Sequence, residues 1–154
     1  MKEALDNAIT EIKRVDHLFY VSLKYTRTAD MMKHTLERII STFTYGIESL
    51  LKQAKEEKKI EDIPENNALR CKLAMETFND PELNDFINFY MKLRKINRAE
   101  YTKREEFRRH VTMTLTIDTG EVIEVNIDEL KGYYDRAKEF VKYVRRIVHG
   151  EEEL

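Results

Sequence analysis

Cysteine, proline and glycine are scarce in this chain. Its one cysteine, Cys71, excludes an intrachain disulfide and any zinc site built from four cysteines. Within NALRCKLAMETF that cysteine reads as a small apolar core residue rather than a reactive thiol. With only two prolines and four glycines among 154 residues, long helices meet few breaks. Long apolar runs are missing too. The longest uncharged stretch, Ile39–Ile47, is nine residues, against the roughly 20 that a membrane-spanning helix needs. Lys2, Glu3, Asp6, Glu11 and Lys13 interrupt any apolar leader. These absences predict a soluble, cytoplasmic protein. The Walker loop, GxGxxG and GxSxG are also missing, so nucleotide chemistry by those routes is not indicated and no cofactor is expected. His17, His34, His110 and His149 lack metal-ligand spacing, and no metal is expected.

Helical periodicity dominates what is present. Leu5, Ala8, Ile9, Ile12, Val15 and Phe19 form one stripe over residues 3 to 20. Met32, Leu36, Ile39, Ile40, Phe43, Ile47, Leu50, Leu51 and Ala54 hold a three-four spacing from 29 to 55, with Thr28 as the expected N-cap. The charge run before Pro64 reads as a loop. A shorter helix with Leu69, Leu73 and Phe78 inward follows. Asp80-Pro81-Glu82 then starts another, as cap, first helical residue and first-turn acid. That helix shows no break signal before a strand pattern, so two courses stay open: it ends near Arg98, or it continues through residues 98–109.

VTMTLTI at 111–117 alternates apolar residues with threonine, and EVIEVNI answers it after Asp118-Thr119-Gly120. This predicts a β-hairpin at about 111–127, with Gly120 supplying positive φ. The Asp-Thr-Gly triplet also matches the short signature of aspartic proteases. A single copy on a hairpin tip reads as turn chemistry instead. Asp128 is expected to cap a last helix to residue 149, with Gly150 closing it. The predicted fold is mainly α: a single-domain up-and-down helical bundle over 1–154 with one β-hairpin before the last helix. A two-stranded ribbon is marginal in water. Together with eight tyrosines and six methionines, it predicts a homodimer.

The chemistry-bearing feature is KLRKINRAEYTKREEFRRH at 92–110. It holds eight Lys or Arg against three Glu, while the rest of a chain of net charge −2 sums to −7. A basic block on an acidic protein requires either acidic partners within the fold or an acidic ligand. We expect a nucleic-acid-binding face from Arg94, Lys95, Arg98, Lys103, Arg104 and Arg108, with Tyr101 the aromatic placed to stack on a base. RNA or an acidic protein is the expected partner.

Arg104 and His110 have five residues between them, with Glu105 after the arginine, and Arg27 and His34 have six between them. In this spacing the chain resembles the higher eukaryote and prokaryote nucleotide-binding (HEPN) family. Its members are helical bundles of similar size, many of them RNA-cleaving toxins or RNA-binding relatives, often dimeric. The resemblance implies a metal-independent ribonuclease as the alternative to a non-catalytic binding module. His110 would move protons and Arg104 would hold the scissile phosphate. The family carries its motif at the start of a late helix, whereas His110 here abuts a predicted strand.

Overall fold

The computed structural model describes residues 1–25, 28–104, 112–117 and 120–150, with their side chains except those of 25 and 101–104. In chain order the elements are α1 (Lys2–His17), a π-helical turn (Leu18–Ser22), α2 (Leu23–Tyr25), α3 (Ala29–Glu56), α4 (Asn67–Phe78), α5 (Pro81–Arg98), β1 (Glu100–Arg104), β2 (Thr112–Thr116), β3 (Val122–Asn126) and α6 (Ile127–His149). The fold is thus mainly α with a β-hairpin before the last helix. No helix among the described residues is long and apolar enough to cross a membrane.

Local signals set most of the boundaries. Thr28 Oγ1 accepts the Met31 N–H at 3.2 Å. Asp80 Oδ1 accepts the Glu82 N–H at 3.0 Å, and Pro81 opens α5. Asn79 ends α4 in the left-handed region at φ 47°, giving a tight corner between α4 and α5. The cap of α6 is Asn126 rather than Asp128; its Oδ1 accepts the Glu129 N–H at 2.8 Å. Asp128 falls instead in the first turn, where its charge complements the helix dipole. Gly150 closes α6 at φ 86°.

Contacts along α3 orient the other helices. Ser49 Oγ donates to the Met1 carbonyl, and Arg38 pairs with Glu11, so α1 runs antiparallel to α3. Tyr90 meets Thr44 and Asn97 meets Lys33, so α5 is also antiparallel to α3. Phe89 stacks edge-on against Tyr133 and Asp80 accepts from Tyr143, which makes α6 antiparallel to α5 and therefore parallel to α3. The core between them is aromatic. Phe43, Tyr90, Phe86 and Phe140 are all buried, and Phe43 and Phe140 stack with centroids 4.8 Å apart. Gly46 permits this, because the Phe140 ring lies over its Cα.

The helix of the basic block takes the shorter of the two courses left open by periodicity. α5 stops at Arg98, Ala99 is extended at ψ 147°, and 100–104 form a strand. The sheet has the order β1-β2-β3, antiparallel throughout, with Glu100 opposite Thr116 and Thr112 opposite Asn126. Pairing with β2 satisfies the backbone groups on one side of β1, and this tertiary gain decides for a strand over continued helix. Met113, Leu115 and Val125 are buried, as the alternation requires, and Gly120 turns the hairpin at φ 85°. Val111, Asp118 and Thr119 lie outside the described residues. The hairpin packs on α3 and α6 of its own chain and pairs with β1. That supplies within one copy the support for which a second copy was expected. In α4 the inward positions are Cys71 and Ala74, while Leu69 is 53% exposed. Small side chains let α4 lie close on its neighbours, and Leu73 and Phe78 pack at the core margin.

Two tyrosines bind α6 to the bundle through carboxylates. Tyr134 donates to Asp16 at 2.6 Å and Tyr143 to Asp80 at 2.7 Å. Burial, and then the hydrogen bond to the carboxylate, push both phenols well above their usual range. A folded-state pKa raised above the unfolded value of about 10 means full stabilisation below pH ~10 and loss above it. Denaturant titrations should therefore show stability falling as pH rises beyond that point. In a Tyr134→Phe/Tyr143→Phe variant the fall should be shallower from a lower starting stability. Equal slopes in both proteins would contradict the assignment.

Candidate nucleic-acid interface

The end of α5 is basic because a helix C-terminus favours cations: Lys95 and Arg98 occupy its last turn. The carbonyl of Asn97 also accepts from Lys33 Nζ, which ties this end to α3. Facing it is the start of α4. Asn66 caps that helix by accepting the Leu69 N–H at 3.1 Å, and the Arg70 N–H bonds the Asn66 carbonyl. The N–H groups of Asn67 and Ala68 thereby remain without an acceptor inside the helix. Positive helix end and positive side chains thus meet across one groove.

The groove consists of two adjoining hollows of about 430 and 370 Å³. Both are lined by Asn67, Arg94 and Arg98. Arg70, Glu65, Tyr90 and Asn97 also line the first, and Asn66, Ala68 and Lys95 the second. Among the described residues Glu65 is the single carboxylate of this lining against four cations. No carboxylate of the described residues pairs with Arg94, Lys95 or Arg98. Among the described residues, then, no acidic partner makes these three a purely structural device.

Polar contacts hold the wall in place. Buried Tyr90 has its hydroxyl 3.0 Å from Asn67 Oδ1 and 2.8 Å from Thr44 Oγ1. Arg94 lies over the Tyr90 ring at 5.8 Å, a cation–π arrangement that orients the guanidinium. Arg70 Nε donates to the Pro64 carbonyl. Asn97 lines the first hollow, and its Oδ1 is buried without a hydrogen-bond partner among the described residues. Behind this wall lies Cys71. Burial pushes its thiol above the usual range, and the charge of Arg94 opposes this only in part.

The structure therefore brings together three of the six residues expected to contact nucleic acid: Arg94, Lys95 and Arg98. Lys103 and Arg104 belong to β1, and their side chains, like that of Tyr101, lie outside the description. Arg27, Arg108 and His110 lie outside the described residues, and with them the expected Arg104–His110 pair. Sequence reasoning missed Arg70, Asn66 and Asn67. The signal was available in the Asn66 cap after Pro64, since a capped helix start is an anion-binding element wherever cations face it. Among the described residues no three His, Cys, Asp or Glu side chains gather to hold a metal ion. No family model, curated protein or solved structure matches this chain.

Proposed function

We propose that the protein is a non-catalytic module that binds RNA through phosphates held in the α4/α5 groove. The observation that carries this reading is the convergence of Arg70, Arg94, Lys95 and Arg98 on the open N–H end of α4, with one carboxylate among them. Guanidinium groups fork onto phosphate oxygens, and a helix start adds backbone donors. Charge positions a strand without specifying its bases, so base preference is slight.

Salt dependence tests it. Four phosphate contacts on single-stranded RNA give a slope of roughly 3 in log affinity against log salt, or an approximately fiftyfold loss between about 50 and about 200 mM. A flat response would reject phosphate tracking. Binding of an acidic peptide but not of RNA would assign the groove to a protein partner. The same mixtures, held in EDTA, check the catalytic alternative. Intact RNA accords with a binding module, whereas cleavage abolished by His110→Ala would make the protein a metal-independent ribonuclease. Assembly is measured separately: sedimentation at micromolar concentration yielding one 18.4 kDa species would exclude the homodimer expected from sequence.

A further inference from the structure

A second cavity lies on a different face, between α1 and α3. It measures about 450 Å³ and is lined by Thr10, Lys13, Arg14, His17 and Leu18 from one side and by His34 and Arg38 from the other. Each helix contributes one histidine and one arginine: Arg14 and His17 stand three apart on α1, and His34 and Arg38 four apart on α3. Both spacings put the pair on a single helix face. Beneath them sits Glu11, 5% exposed. Its carboxylate takes Arg14 at 2.8 Å and Arg38 at 3.4 Å, one guanidinium from each helix. A buried carboxylate requires such partners. Here it also holds both arginines at the cavity wall.

Glu11 cancels one charge of three. Lys13, Arg14 and Arg38 leave the cavity positive before either imidazole is counted. A guanidinium has five N–H donors, so each arginine retains several after its bond to Glu11. Both imidazoles add ring donors. A metal ion is disfavoured by the surrounding cations, and the one carboxylate beside them is already paired. Directly after His17 the helix widens into the π turn Leu18–Ser22, none of whose residues is buried. Such single π turns concentrate at ligand sites, because they displace side chains from the regular helical register. Within this one Leu18 lines the cavity, whereas Tyr20 and Val21 are surface residues, 63% and 43% exposed.

We infer that the juxtaposition of Lys13, Arg14, His17, His34 and Arg38 around this cavity forms a binding site for a small organic phosphate monoester. The cations and imidazoles hold the dianion, and Leu18 faces its organic part. The volume falls within the range of small-molecule sites and exceeds what a free phosphate fills. The inference does not depend on RNA binding at the α4/α5 groove.

Calorimetric titration with phenyl phosphate, inorganic phosphate and phenol tests it, alongside the histidine ring resonances in NMR spectra. Saturable binding of phenyl phosphate is expected, at least tenfold tighter than inorganic phosphate or phenol, with His17 and His34 shifting together. Lys13→Gln/His34→Gln, which leaves the Glu11 ion pairs intact, should weaken it by tenfold or more. Lys95→Glu/Arg98→Glu, on the other groove, should leave it unchanged. No saturation at millimolar phenyl phosphate, or equal affinity in the Lys13/His34 variant, overturns the site. Inorganic phosphate binding as tightly as the ester overturns its organic part.

Discussion

Gly46→Val should lower stability by roughly 3 kcal/mol and the melting temperature by roughly 6–12 °C. A Cβ at Gly46 would stand 2.5 Å from Cε2 of Phe140, whereas carbon atoms in contact settle at about 3.5–4.0 Å. The ring cannot retreat, because Phe140 is fully buried and stacks on Phe43 at 4.8 Å and against Phe86 at 5.2 Å. Relief would have to come from separating α3 from α6, which opens the aromatic core. Gly46→Ala is the finer test. Alanine gains about 1 kcal/mol of helix propensity over glycine, and the clash exceeds that gain, so the net change is a smaller loss. Removing the ring edge should then relieve it. A cycle of Gly46→Ala and Phe140→Leu, followed by urea unfolding, should give a coupling above about 1 kcal/mol. An alanine variant more stable than the parent would mean that the two helices do not meet at this residue.

Charge reversal at the groove should have the largest effect on binding. Lys95→Glu/Arg98→Glu is expected to lower RNA affinity about a hundredfold at low salt. Two charge-assisted hydrogen bonds contribute about 3 kcal/mol together, and about 1.4 kcal/mol is tenfold. Both side chains are exposed on the last turn of α5, so the core is untouched. Two acids at a helix C-terminus cost up to about 1 kcal/mol each, which lowers the melting temperature by a few degrees without unfolding the protein. A Lys95→Gln/Arg98→Gln pair separates lost attraction from added repulsion and should fall between the two. Filter binding or fluorescence anisotropy on the three proteins reads the result. Equal affinity in all of them would show that the basic end of α5 serves the helix rather than a ligand.

Most helices were legible because their signals are local. Thr28, Asp80-Pro81 and Gly150 mark ends through the chemistry of their own backbone neighbourhood. The stripes of α1, α3 and α6 follow from burying one face of a 3.6-residue period. The hairpin was legible for the same reason at period two. Asn126 was missed as a cap because Asp128, two residues on, offers equivalent chemistry, and only the backbone angle at the strand exit separates them.

The site was legible in part. Arg94, Lys95 and Arg98 were identified from the charge imbalance of one segment, which sequence carries in full. Arg70 and the Asn66 helix start were not, since a groove between two helices requires knowing which faces meet. His17 and His34 show this most clearly. They are separated along the chain and look unrelated, yet the antiparallel packing of α1 on α3 puts both on one cavity wall.

The sequence by itself determined the class of the fold, the starts of α3 and α5, the hairpin and the location of the positive charge. All of these depend on residues within one or two turns of each other. Tertiary structure alone decided that α5 ends at Arg98 and yields to β1, that Gly46 receives Phe140, and that cations from separate helices share a groove. Those outcomes depend on pairing between segments far apart in sequence, where the energy of closing the contact outweighs local preference.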